Sequence, residues 1–269
     1  MQVTNAADVA AAIAARHAEL GRLLGGLSGA DLAAPSLLPG WSRLTIACHL
    51  RFGAEANQSM TVATLAGRDA AYYPEGRARQ RPSTLELRGN EQPREVIDSL
   101  IRVSSELDSL WRTMRLGQWA LAMREPADNA DLGPVPLGML ALLRLTEVEV
   151  HGRDLDIGCA PWSEVFVETA LPMRVRWLAT RRSNHASPDQ NIKGKWEVLR
   201  TTDGASFSIS ASSAGVEISE GSELDGDTEI EGSNRDLLAF VLGRIDLSAL
   251  SVSGDHKLAE SFTAAFPAP

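Results

Sequence analysis

Apolar positions recur every three to four residues through the first half of the chain and at alternate residues through much of the last third. Val9, Ile13, Leu20 and Leu24 form one helical stripe, stopped by Gly25-Gly26. After the turn LLPGW, Ser42 is a fitting N-cap for a second helix that carries Ile46, His49, Leu50, Gly53, Ala56 and Met60 to about Leu65. Residues 67–93 contain AAYYPEGRARQRPS, hold no sustained period, and read as a long loop of the kind that borders sites. Val96, Leu100, Val103, Leu107, Leu110 and Met114 predict a third helix. Pro134 and Pro136 open a fourth that carries Arg144, Glu147 and His151 and ends near Gly158. Helices of this number and length predict a bundle.

A further helical segment, SEVFVETALPMRVRWLATRR, is expected to be interrupted or kinked by Pro172. Beyond it the texture changes. WEVLR, SFSIS, GVEIS and DTEIEG alternate between Gly, Asp and Ser turn signals, as strands do. SNRDLLAFVLGR reads as a helix capped by Ser233 and ended at Gly243, with ALSVSGD a further strand before a last short helix. The fold class is therefore α+β. A four-helix bundle occupies residues 1–160, a connecting helix or linker 161–190, and a small α+β domain 191–269.

A length of 269 residues leaves room for two domains. The formal charge of −9, with no Lys/Arg block, argues against a nucleic-acid partner. The N-terminus carries Asp8 and Glu19 in a helical pattern, unlike a basic-then-apolar leader, and apolar runs such as LGMLALL are too short to span a bilayer. A cytoplasmic protein without a membrane partner, monomer or homodimer, is expected. Cys48 and Cys159 are too few for a disulfide framework and lack metal-type spacing.

The candidate chemistry lies in two segments, PGWSRLTIACHL and LRLTEVEVHGRDL. Glu147 and His151 are four residues apart, so on a helix both side chains leave one face about a turn apart. With His49 they make a set of two imidazoles and one carboxylate, able to hold a divalent ion and leave positions open for chemistry. Each residue alone has an ordinary reading: a hydrogen-bonded helix histidine, or a surface contact worth a few tenths of a kcal/mol. Their apolar neighbours weigh against it. Leu44, Ile46, Cys48 and Leu50 flank His49, and Leu142, Leu143, Leu145, Val148 and Val150 surround the pair. Buried polar groups need partners, and a shared ion satisfies all three. His17, His185 and His256 are assigned structural roles. Arg144, a turn before Glu147, is expected to meet an acidic group inside the bundle.

These motifs, Pro39-Gly40-Trp41 with His49-Leu50 and Glu147 with His151 and Asp154-Leu155, resemble the DinB-like mycothiol-dependent maleylpyruvate isomerase family. The resemblance covers the N-terminal bundle well and the C-terminal domain more loosely. It implies a DinB-like bundle with a divalent ion, usually zinc, on His49, Glu147 and His151. It also implies mycothiol as the source of the nucleophilic thiol, which a metal would present as thiolate near neutral pH. Arg244, in VLGRIDLSAL, matches a family Gly-Arg thought to hold a substrate carboxylate, against an ordinary role at a helix C-terminus. Trp41 is read as a packing residue and Asp154 as a partner of a metal ligand or of the helix end.

The expected function is a mycothiol-dependent metalloenzyme acting on a small electrophile. Thiol transfer or exchange is slightly favoured, because the polar loop at Ala70–Pro82, with Tyr72, Tyr73, Arg77, Arg79 and Arg81, is expected to widen the substrate entrance. The alternatives are cis-trans isomerisation of maleylpyruvate, metal-dependent hydrolysis without a thiol, and a non-catalytic binding or regulatory module.

Overall fold

The structure is a computed structural model that describes residues 6–130, 132–184, 192–221 and 225–268, with the backbone alone at 181–184. His185 lies outside the described residues. The chain divides into two compact units, Met1–Phe166 and Val167–Pro269.

The first unit is built on four long helices: α1 (Ala6–Gly25), α3 (Arg43–Leu65), α5 (Pro93–Arg112) and α6 (Leu137–Asp154), with a short α2 (Gly29–Ala33) after α1. The sequence expectation of four bundle helices holds at these places. Ser42 caps α3 by accepting from the Thr45 amide. Around the bundle α1 touches α5 and α6, and α3 touches the same two, so α3 and α6 are neighbours. Val9, Ile13, Leu20 and Leu24 of α1 are fully buried, and so are Val96, Leu100, Val103 and Leu107 of α5. The helices α3 and α6 are buried on most sides, which is why their apolar residues run nearly continuously between 46 and 54 and between 137 and 150.

Not all of that interior is apolar. Arg16 of α1 reaches Glu149 of α6 and also donates to the carbonyls of Ala160 and Pro161. Glu149 in turn accepts from the Ser163 hydroxyl, so one ion pair fastens the chain beyond α6 to the bundle. The residues read as a long loop contain a short helix, α4 (Arg77–Gln80), and a 3₁₀ turn at Pro82–Leu85 that packs on α3. Strands β1 (Ala122–Met123) and β2 (Val135–Pro136) pair before α6 begins. Helix α7 (Glu164–Asn184) runs through Pro172 and carries the chain into the second unit.

The second unit holds a five-stranded sheet of β3 (Gly194–Arg200), β4 (Ser206–Ser212), β5 (Gly215–Gly221), β6 (Thr228–Gly232) and β7 (Ser251–Gly254), in the order β5-β4-β3-β6-β7. Only the β3–β6 pairing is parallel. Trp196 and Val198 sit opposite Ile209 and Phe207 on one neighbour, and Val198 opposite Ile230 on the other, so one face is apolar. The aromatic residues Phe240, Phe262 and Phe266, from α8 (Asn234–Val241), α10 (Phe262–Ala265) and the residue after it, join that core, while α9 (His256–Glu260) provides the carbonyl of Leu258 for the Trp196 indole. The α+β class follows, with the strands where alternation predicts them. No helix of the described residues is long and apolar enough to cross a membrane.

Candidate metal centre and its cavity

The pairing of α3 with α6 brings His49 against Glu147 and His151. His49 Nε2 lies 2.6 Å from Glu147 Oε2, and His151 Nε2 lies 3.5 Å from the same oxygen. One donor atom from each residue falls within 4.8 Å of the other two, the only such group of His, Cys, Asp or Glu among the described residues. A turn before α3 completes the setting. Gly40, at φ 79°, adopts the left-handed conformation that a side chain resists, and the Trp41 amide closes the turn onto the Leu38 carbonyl. The Leu37 amide donates to the Asp154 carbonyl, and Arg43 to those of Leu155 and Asp156, so this turn is bonded to the end of α6. Trp41 thereby stacks on His151 at 6.0 Å and meets His49 edge-on at 5.6 Å. Its packing role is as expected, and the two sequence motifs prove to be one structural unit.

Protonation follows from these contacts. Burial alone would lower the pKa of His151, but hydrogen bonds to Asp154, 3.0 Å from Nδ1, and to Glu147 outweigh it and push the value up to about 9. Burial lowers the pKa of His49, with the charges of His151 and Arg81 acting in the same direction against the pull of Glu147. Burial would raise the pKa of Glu147, yet the neighbouring histidines hold its carboxyl well below the usual range. At neutral pH the cluster is therefore a carboxylate, one imidazolium and one neutral imidazole. Within the cluster the neutral His49 donates its Nε2 proton to the ionised Glu147, while its buried Nδ1 has no hydrogen-bond partner; an ion on Nε2 would take that nitrogen's lone pair with the ring proton moved to Nδ1. Asp154 holds the His151 proton at Nδ1, which likewise turns Nε2 toward the cluster. Two imidazoles and a carboxylate at this separation fit a divalent ion with bonds of about 2.0–2.2 Å after small side-chain movements.

Beside the cluster is a cavity of about 120 Å³, lined by His49, Asn57, Tyr72, Tyr73, Arg77, Arg81, Leu132, Leu140, Leu143, Arg144 and Glu147. The Glu147 side chain is 35% exposed, the most open of the three donors. Tyr73 is buried, stacked on Phe52 at 5.2 Å, and Tyr72 meets both rings. The 70–82 segment thus lines the cavity through Tyr72, Tyr73, Arg77 and Arg81, with both tyrosines packed on Phe52 of α3. Glu125 sets the position of this wall: one oxygen accepts from the Tyr72 amide at 3.0 Å, the other from the amides of Leu132 and Gly133. A Cβ at Gly53 would stand 2.9 Å from an Arg144 amine and 3.2 Å from the Tyr72 hydroxyl, so that glycine makes room for both groups.

Arg144 differs from its sequence expectation. It donates to the Leu50 carbonyl and to His17 Nε2, not to a carboxylate. The acidic group, Asp108, is one step further away, on His17 Nδ1 at 2.8 Å. His17 accepts from Arg144 and donates to Asp108, and burial lowers its pKa, so it stays neutral in the structural role expected of it. Cys48 and Cys159 are buried, and burial pushes both thiols up to about 11, so neither supplies a thiolate near neutral pH. Arg244 lies in the second unit just after α8, half-buried, with Nη1 donating to the Leu242 carbonyl. Sequence reasoning passed over Asn57, although it follows His49 by eight residues and so shares its face of α3.

Zinc titrated into the metal-free full chain is expected to bind at about one ion per chain, and His49→Ala, Glu147→Ala or His151→Ala to weaken it by at least tenfold while circular dichroism is unchanged. Because the His151 proton must leave, affinity should rise about tenfold per pH unit and level off near pH 9. Calorimetry at pH 7 in buffers of different ionisation enthalpy should count about one proton released per ion. Full occupancy in all three variants would remove these residues from the site.

A family model described as the mycothiol maleylpyruvate isomerase N-terminal domain matches residues 13–156, more than half of the chain and nearly all of the bundle. No curated protein matches the chain. Among solved structures, a crystal structure of the mycothiol-dependent maleylpyruvate isomerase is similar with a TM-score of 0.66 at 18% identity, over 92% of each chain. A histidine-to-alanine mutant under the same description gives 0.65 at 17% identity, again over 92% of each. At this identity the likeness speaks for the fold, and it extends through both units. The match of this family model over more than half of the chain makes the chain a member of the mycothiol maleylpyruvate isomerase family.

Proposed function

We propose that the chain is a mycothiol-dependent cis-trans isomerase of maleylpyruvate or a closely similar short unsaturated dicarboxylate, with His49, Glu147 and His151 as ligands of a divalent ion, zinc by preference. The observation that carries this reading is the small arginine-lined cavity against the three donors. Its arginines suit an anionic substrate. The family and the names of its structural neighbours point the same way, so the slight preference for thiol transfer gives way to isomerisation.

A divalent ion on these donors, with the sulfur of mycothiol beside it, would supply a thiolate at neutral pH, a nucleophile whose reversible addition to a conjugated cis double bond lets that bond rotate. The protein's residues manage the charge that moves. As the electron pair shifts onto the substrate's carbonyl oxygen, the Tyr72 hydroxyl, which lies near Arg144 in the cavity wall, would donate a hydrogen bond to that oxygen. Burial and the charge of Glu147 push the Tyr72 pKa up, so it stays a neutral donor throughout. Arg144, at the same end of the cavity, adds fixed positive potential without giving up its own bonds. Leu132, Leu140 and Leu143 exclude water and strengthen both effects.

Zinc-loaded protein with mycothiol is expected to convert maleylpyruvate to its trans isomer, followed by absorbance and chromatography. Glutathione should substitute poorly, since contacts remote from the sulfur help place it. Cys48→Ser with Cys159→Ser should retain most of the turnover. Conversion without any thiol would point to metal-bound water as nucleophile, and an accumulating thioether product to a transferase.

Tyr72→Phe removes a single oxygen. It should lower kcat by roughly 10²–10³ with zinc content and KM little changed. Unaltered kcat would deny Tyr72 its role.

A further inference from the structure

Three guanidinium groups line the cavity, and their hydrogen bonds sort them. Arg144 is committed to His17 and the Leu50 carbonyl. Arg77 lies over the Tyr73 ring at 5.4 Å and has further interactions. Arg81 is different. Its guanidinium makes no hydrogen bond or ion pair among the described residues, although the side chain is half-buried in the cavity wall. The only carboxylate among the described residues of that wall, Glu147, is taken up by His49 and His151.

The backbone that carries Arg81 is firmly held. Its amide donates to the Arg77 carbonyl, and its own carbonyl accepts from both the amide and the hydroxyl of Thr84. Pro82 follows and fixes the start of the 3₁₀ turn. A half-buried cation without a counter-charge, on a pinned backbone beside a polar cluster, is an arrangement that an anionic ligand completes. The size of the cavity limits that ligand. A cavity of about 120 Å³ has room for a carboxylate and the carbons next to it.

We propose that Arg81 is the carboxylate anchor of this cavity: its guanidinium holds one carboxylate of a short unsaturated acid, leaving the adjoining double bond toward His49, Glu147 and His151. Specificity then comes from the bundle, since a neutral ester or amide at that position would leave the guanidinium unpaired. The inference rests on the isomerase reading for the choice of acid, not for the existence of the subsite.

The test is equilibrium binding of maleate to the full chain, metal-free and zinc-loaded, without mycothiol, by calorimetry. Arg81→Gln should weaken binding by about 10- to 100-fold in both states, Arg81→Lys by less, with zinc content and circular dichroism unchanged. Arg79→Gln, at an 81% exposed neighbour, should bind as wild type. Wild-type protein that fails to bind maleate at tens of millimolar, or Arg81→Gln that binds normally, overturns the assignment. So does loss of binding in Arg244→Ala with retention in Arg81→Gln. Binding that depends on Arg81 in a chain without mycothiol-dependent isomerisation keeps the subsite and discards the reaction.

Discussion

The cost of burying charge inside a bundle governs the first unit. His49, Glu147 and His151 stand between largely buried helices, and a lone carboxylate there would be disfavoured. Each member is stable only because the others are present, with Asp154 behind His151 and Trp41 against both rings. The same demand is met elsewhere by Arg16 with Glu149 and by Arg144 with His17 and Asp108. The bundle thus carries several polar linkages across its interior, each joining two or three helices. Breaking one leaves an unpaired buried group, which costs more than the pair contributes.

Helices and strands were legible because burial imposes a period, as at Val96 to Leu107 and in the alternation of Trp196 and Val198. The donor triad was legible because Glu147 and His151 sit a turn apart within apolar surroundings. The partners of Arg144 were not. A hydrogen bond from α6 to His17 depends on how helices distant in sequence are placed, and spacing within one helix carries no record of it. The inward packing of the 70–82 segment was not legible for a related reason. Its prolines and arginines announce a loop, but whether tyrosines turn inward depends on Phe52 and Glu125, which no local pattern reveals. Asn57 left a weak trace, as a polar residue on the face that His49 defines.

Charge in this molecule is unevenly distributed. A chain of formal charge −9 places three arginines around a cavity that contains one carboxylate. An anion approaching the surface meets a generally repulsive protein with a local attractive opening, and low-dielectric walls concentrate the field there. Such an arrangement selects by charge before any contact is made. It also keeps Tyr72 and Glu147 in different states within one small space, the hydroxyl protonated and the carboxyl ionised.

Glu125 belongs to none of the long helices, yet its two oxygens hold the segments that form the roof of the cavity, through Tyr72 on one side and Leu132 and Gly133 on the other. The floor, made of donors on α3 and α6, is fixed by helix packing. Floor and roof are therefore held by different means: the metal-ligand candidates stand on α3 and α6, and the segments above them are fixed by a side chain outside those helices. A lineage built on this plan can keep its reactive centre and change what it admits by redrawing the two segments that meet at one carboxylate.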